Sequence, residues 1–395
     1  MVDKKEKGKV LDRLVKDFLQ GAPGKAQCVH WETCNGCRVM PLPYEKQLAL
    51  KSQILGQELG QFTAGQAVTV EPSPNQIYYR NKIELSCLNG AIGYRTREDY
   101  SKAFQVSDCL LVSKEANQIA LTALEALKAR NVSFHDPVKH EGFLRYLVIR
   151  ESKTTGERMA NFVSYSMVEE FQLQEAVRAL REKIDVQSIN WLLQDSLSDH
   201  SHGQVIRTWG EPFIREKLLG CTFRIEPNTF FQVNPVLAEK MFAEAIAGLK
   251  AEDKVLDLFC GVGALSIPAA KKAKVVYGIE LDEDSARLAR KNAELNEVKN
   301  TTFLSGDVRK RIKNLTHTFE YALIDPPRSG LGARLIERVK GLGPREMAYV
   351  SCNPLSLAED LELFQPEYKV KSLKGFDLFP NTPHVECLAF LERVK

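Results

Sequence analysis

Val255-Leu256-Asp257-Leu258-Phe259-Cys260-Gly261-Val262-Gly263 is the stretch on which the fold turns. Its apolar first half reads as a buried strand, and Gly261 and Gly263 permit a tight turn with close backbone approach by a ligand. Residues 255–270 are the most apolar part of the chain, but Asp257 and the two glycines interrupt them. Strand, turn and helix start therefore fit better than a membrane span. Outward from this point the sequence alternates, with strands predicted at 254–258, 275–279, 302–304, 321–324 and 348–351 and helices at 264–272 and 284–296. The alternation predicts an α/β fold with a mostly parallel sheet and helices on both faces. Ligands of such sheets lie beyond the carboxyl ends of the strands, where Glu280, Asp307, Asp325 and Cys352 all fall.

The turn carries Gly-x-Gly, but Ser266 occupies the third position of the full pyrophosphate cradle, so the ligand expected is one without phosphate. Glu280, closing the strand after the turn, suits the two ribose hydroxyls of an adenosine, and Asp307 is placed for the adenine amino group. S-adenosylmethionine meets both requirements.

Ser351-Cys352-Asn353-Pro354 sets a thiol between a strand end and a proline, in polar surroundings unlike those of a structural cysteine. Carbon 6 of a uracil is a conjugate-addition acceptor, and a thiolate added there makes carbon 5 electron-rich enough to take a methyl group from a sulfonium. Arg328, in Asp325-Pro326-Pro327-Arg328, is the candidate for lowering the thiol's pKa. After methylation carbon 5 still carries its hydrogen, and Glu386 in His384-Val385-Glu386-Cys387 is the expected base, with His384 as a weaker rival. Methylation of an exocyclic amine would leave Cys352 idle, and cytosine-5 methylation places its cysteine after a proline, which is absent here. A non-catalytic RNA-binding protein with a vestigial fold leaves the full set of cofactor, nucleophile and base candidates unexplained. Cys260, beside the turn, reads as structural.

With 395 residues, 44% hydrophobic and 27% charged, the chain has room for two or three cored domains, and its net charge of +3 announces no nucleic-acid binder by itself. Three regions are expected: 1–65, with an amphipathic helix near 9–19 and clustered cysteines; 66–220, a mixed α+β region; and 221–395, the alternating domain. Met1 to Lys25 resembles neither a secretory nor a lipidation signal. Nine cysteines without an export signal point to a reducing, cytoplasmic setting and to no membrane association. Cys28, Cys34 and Cys37 lie around Gly36 with one Cys-x-x-Cys pair and a more distant partner, which fits an iron-sulfur cluster at least as well as zinc. Spacing leaves the fourth ligand open among Cys87, Cys109, Cys221 and Cys387. In the middle region strands are predicted at 67–70, 78–86 and 144–150, with a hairpin turn at Asn89-Gly90 and a helix over 118–128.

These residues together resemble the RNA uracil-5 methyltransferases that use S-adenosylmethionine, particularly the bacterial 23S ribosomal RNA branch. The likeness covers nearly the whole chain and includes Phe230-Phe231-Gln232-Val233-Asn234, which matches that family's Phe-x-Gln-x-Asn segment. It implies a Rossmann-like class I methyltransferase domain preceded by an α+β central domain with an amino-terminal iron-sulfur segment. By the same resemblance Gln232 holds the methionine part of the cofactor, and Phe230 stacks near the target base. Phe259, Glu280, Asp307 and Asp325 line the cofactor and base sites; Cys352 is the nucleophile and Glu386 the proton acceptor. Cys28, Cys34, Cys37 and Cys109 become the ligands of a 4Fe-4S cluster. The family often has asparagine where this chain has Ala264, so a backbone contact must serve there. Several members carry an amino-terminal oligonucleotide-binding barrel, which this chain is expected to lack. RNA, ribosomal by preference with transfer RNA as the alternative, then meets Tyr78-Tyr79-Arg80-Asn81-Lys82, Tyr94-Arg95-Thr96-Arg97 and Arg328. Carbons 5 and 6 are unreachable in a stacked base, so a flipped uridine is expected, handled by a monomer without an obligate protein partner.

Overall fold

A computed structural model describes residues 4–20, 24–63, 65–315 and 317–394. Lys254–Leu258, with Val255, Leu256 and Leu258 buried, is the middle of the five parallel strands in an eight-stranded mixed sheet. On one side it pairs in parallel with Val275–Glu280, which pairs with Thr301–Ser305; on the other it pairs with Tyr321–Ile324, which pairs with Glu346–Ser351. Strand order reverses at this central strand, leaving a crevice above its carboxyl end. The helices Glu283–Leu295, Ala333–Leu342 and Pro354–Phe364 bury their apolar stripes against the sheet.

Beyond Glu346–Ser351 the sheet stops being parallel. Glu386–Arg393 lies antiparallel to Glu346–Ser351 on one side and to Tyr368–Phe376 on the other. A further strand, Val70–Glu71, adds in parallel to Gly375 and Phe376. The helix Tyr44–Leu59 follows it onto the sheet, with Leu55 and Leu59 in the same core cluster as Tyr349 and Leu361. After residue 364 the strands Tyr368–Phe376 and Glu386–Arg393 mix polar and apolar residues without clean alternation, so the antiparallel return had no periodic signature.

The middle region is a six-stranded sheet in the order Ala91–Gly93, Lys82–Leu88, Leu144–Glu151, Arg158–Ser164, Ser188–Leu193, Gln204–Gly210, covered by the helices Lys114–Lys128 and Glu170–Lys183. A hairpin of Ile214–Leu218 with Cys221–Ile225 joins it to the larger sheet. Several boundaries differ from expectation, and the strand expected at 67–70 is reduced to Val70–Glu71 in the larger sheet. The strand expected at 78–86 starts at Lys82, because Tyr78 takes a left-handed φ of 56° and the backbone N–H groups of Tyr78 and Arg80 bond the carbonyls of Leu110 and Leu111 instead of a ladder. The helix expected at 118–128 begins at Lys114, capped by the Ser113 hydroxyl, which accepts the Ala116 N–H at 3.0 Å. No helix among the described residues is long and apolar enough to cross a membrane.

Candidate active site

A cleft of about 1630 Å³ runs over the carboxyl ends of the parallel strands and continues across the cysteine segment to the middle sheet. The turn after the central strand shapes its floor. Phe259 has φ 66°, a conformation unfavourable for a side chain of its size, and the N–H groups of Phe259 and Cys260 both bond the Ile279 carbonyl, at 2.9 and 3.1 Å. At Gly263, φ is 84° and a Cβ would stand 2.9 Å from Ile267 Cδ1, so glycine is required there. Glu280 accepts the Gly261 N–H at 2.9 Å and the Asp282 N–H at 2.9 Å. Each oxygen keeps acceptor capacity beyond these bonds, and Glu280 lines the cleft. Asp307 caps the short helix Val308–Arg311 and lines the same cleft with Ala264.

Asp257 escaped the sequence reading. It is fully buried, accepts the Ser266 hydroxyl at 2.5 Å through Oδ2, and leaves Oδ1 without a partner at the cleft floor. Burial raises its carboxyl to about 7, helped by the nearby Asp325 and Glu280 charges. Asp325 is likewise raised to about 7, chiefly by burial, and receives the Gln232 amide at 3.5 Å. A floor of crowded carboxyls with one orphaned oxygen fits a cation-bearing ligand, which matches the ammonium and sulfonium of S-adenosylmethionine.

Cys352 is half-buried at the end of Glu346–Ser351, and the antiparallel neighbour strand sets Cys387 against Ser351. One step along that register brings Glu386 beside Cys352. Burial pushes the Cys352 thiol up to about 11; Glu386 adds to the rise and Arg328 opposes it. Arg328 was expected to hold this thiol low, and in the ligand-free site burial and the neighbouring carboxyl outweigh it. Glu386, only 4% exposed, is raised to about 8 by burial and by Asp325. His384 lies on the cleft wall with its pKa lowered to about 4 by burial and the nearby Arg328. It is therefore a neutral ring at physiological pH. Cys260 is buried and pushed upward, as a structural thiol would be.

At the other end of the cleft stand Cys28, Cys34, Cys37 and Cys109 with Arg80. Burial raises the thiols of Cys34, Cys37 and Cys109, and the neighbouring cysteines add to the rise, Cys37 feeling Cys109, Cys34 and Cys28. Among the described residues no three His, Cys, Asp or Glu side chains are arranged to hold a single metal ion. Phe230 is 67% exposed at the rim. Lys82 is turned to Glu84 at 2.5 Å and largely covered, so it is not a free phosphate contact. The stretch 94–97 is also occupied elsewhere. Arg97 donates to the carbonyls of Trp31 and Cys34 at 2.9 and 2.8 Å and stacks on the Trp31 ring, and Arg95 pairs with Asp199. Arg97 thus stitches the cysteine segment to the middle region, while Arg95 ties loops within that region, uses that sequence spacing does not signal.

The model of the tRNA (uracil-5-)-methyltransferase family matches residues 43–394. The chain belongs to that family. It is an RNA uracil-5 methyltransferase dependent on S-adenosylmethionine. Among relatives of the family, the tRNA (uracil(54)-C(5))-methyltransferase of Pyrococcus abyssi is 34% identical over 365 residues, covering 92% of this chain and 85% of that protein. An uncharacterized RNA methyltransferase of Caldanaerobacter subterraneus is 32% identical over 99% of this chain and 90% of its own length. The crystal structure of the Pyrococcus abyssi enzyme in complex with S-adenosyl-L-homocysteine matches with a TM-score of 0.79 at 33% identity, covering 90% of this chain and 86% of that one.

Proposed function

We propose that this methyltransferase modifies carbon 5 of a flipped-out uridine in transfer RNA, with Cys352 as nucleophile and Glu386 as base. The observation that carries the mechanism is the antiparallel register that brings a thiol and a carboxyl together at one end of the cofactor cleft. Cys352 loses its proton and its sulfur adds to carbon 6, so that carbon 5 becomes nucleophilic. Bound S-adenosylmethionine supplies the electrophilic methyl group. Asp257, through its free Oδ1, and Gln232 hold the methionine end, and Glu280 and Asp307 hold the adenosine. Glu386 as carboxylate then takes the carbon 5 proton, the carbon 5–carbon 6 double bond re-forms, and the sulfur leaves as thiolate. Phe230 at the rim offers a face for stacking the base, and Arg80 and Arg328 offer charge to the backbone.

The transfer RNA reading rests on the named relatives, which modify uridine 54 of tRNA. The resemblance to the 23S branch makes ribosomal RNA the second reading. Cys28, Cys34, Cys37 and Cys109 would hold a 4Fe-4S cluster; in support, all four line one end of the cleft and stand near enough for Cys37 to feel the other three. Such a cluster would brace the wall that faces RNA. All nine cysteines are free thiols, in keeping with a reducing setting.

The test is methyl transfer from labelled S-adenosylmethionine to tRNA and 23S transcripts, each with its candidate uridines replaced in turn. Wild type labels carbon 5 of a uridine in tRNA, Cys352→Ala transfers nothing, and Glu386→Gln leaves RNA covalently attached. Activity retained in Cys352→Ala would end the mechanism; labelling confined to 23S transcripts would end the choice of RNA. An anaerobic preparation that is brown and bleaches in air supports the cluster, whereas a colourless one with stoichiometric zinc rejects it.

A further inference from the structure

The connection 377–385 leads into Glu386, and it is gripped from outside the strand-helix domain. Lys51, on the helix Tyr44–Leu59, is fully buried, and its ammonium donates to the Asp377 carboxylate and to the Phe379 carbonyl, the latter at 2.9 Å. The other Asp377 oxygen accepts the Tyr44 hydroxyl at 2.9 Å, and that hydroxyl accepts the Ser73 N–H at 2.7 Å. One turn away, Gln47 bonds Asn381 in both directions: its Nε2 donates to Oδ1 at 3.2 Å, and its Oε1 accepts the Asn381 N–H at 2.8 Å. Asn381 sits at φ 68°, a left-handed turn conformation that asparagine adopts more readily than most residues. The register pairs Phe376 with Glu386, so Asp377 is the first residue past the last rung beside the base.

We propose that Lys51 is a positioning residue for proton abstraction: through Asp377 and Phe379 it fixes the connection that sets Glu386 against carbon 5. The inference rests on Glu386 being the base. A buried ion pair is a poor device for stability, since apolar side chains of similar volume often serve a fold as well or better. A lysine with no exposed surface, spent on two groups of one connection, is explained by the geometry it imposes. The step it serves is the one in which the carbon 5 proton passes to the carboxylate and the carbon 6–sulfur bond breaks. Thiol addition and methyl transfer depend on Cys352 and the cofactor floor, which Lys51 does not touch.

The variants Lys51→Met and Gln47→Ala are compared with Glu386→Gln in single-turnover methyl transfer and in denaturing gels that score covalent protein-RNA adduct. Melting temperature and S-adenosylhomocysteine affinity are measured alongside. The expected result is methyl transfer within about twofold of wild type, with adduct resolution slowed about ten- to a hundredfold, as a small misplacement of a catalytic group costs. Wild-type resolution, or an equal loss in both steps together with weakened cofactor binding, overturns the proposal. If Lys51→Met does not fold, Gln47→Ala decides by the same criteria. If Glu386→Gln itself resolves adduct normally, the base assignment has failed and Lys51 has no step to serve; if Glu386→Gln traps adduct and neither other variant does, only the positioning role has failed.

Discussion

Burial keeps both Cys352 and Glu386 protonated in the free site, with Glu386 adding to the rise of the thiol and Asp325 to the rise of Glu386. Glu386 is raised to about 8 and Cys352 to about 11, and both must ionise to act. The kcat/KM profile should therefore rise with pH through about 8 and continue upward, and a plateau already reached at pH 6 would contradict the assignment. Because Glu386 is the second cause of the thiol's rise after burial, Glu386→Gln should speed iodoacetamide labelling of Cys352 at pH 8, while a slower rate would show that the two do not interact. Stability follows the same groups. Asp257 and Asp325, raised to about 7, and Glu386 hold their protons more tightly folded than unfolded. Their contribution is complete below about pH 4 and is lost as pH rises through about 7 to 8. Thermal melts of the ligand-free protein should thus fall across that window, and Asp257→Asn should flatten part of the fall.

Among the elements, the loop after Asp325 shows how a strand end is made rigid. Asp360, on the helix Pro354–Phe364, accepts the Leu331 N–H at 2.7 Å, the Gly332 N–H at 3.2 Å and the Tyr349 hydroxyl at 2.6 Å, and it is buried. Asp360→Leu strands three donors and should cost about 1–3 kcal/mol for each one left buried and unpaired, measured by denaturant unfolding. Gly278, in the strand next to the cofactor turn, has no room for a methyl: a Cβ would meet Phe303 Cδ1 at 2.7 Å and Cys260 Sγ at 2.8 Å. Gly278→Ala should destabilise by about 1–3 kcal/mol and weaken S-adenosylhomocysteine binding. The five parallel strands and the glycine turn were readable because each is a short apolar run bounded by turn residues. The return of Glu386–Arg393 was not, since an antiparallel strand between two others carries no pattern that tells its partners.

In the whole molecule, the middle region grips the segment that contains Phe230. Asn81 donates its N–H to the Val233 carbonyl at 2.9 Å and its Nδ2 to the Gln232 carbonyl at 2.9 Å, and buried Arg150 bonds the Thr229 carbonyl. Asn81→Ala should raise KM for S-adenosylmethionine more than it lowers kcat, because it frees the backbone that aims Gln232. RNA affinity should fall with salt, and Arg80→Ala and Arg328→Ala should each lower the slope of log K against log salt by about 1. An unchanged slope would place the phosphate path elsewhere, as the internal pairing of Lys82, Arg95 and Arg97 already does for those side chains.

The sequence by itself determined the α/β domain, the cofactor turn and the residue types of the chemistry, because a buried strand, a glycine turn, and a thiol or carboxyl at a strand end are each written locally. Tertiary structure alone decided that Cys352 and Glu386 adjoin, since that depends on an antiparallel register between strands far apart in the chain. It also decided that Asp257 keeps an orphaned oxygen and that Lys51 reaches the connection before Glu386. Burial and pairing are properties of the packed whole, and a side chain's charge state follows from them rather than from its neighbours in sequence.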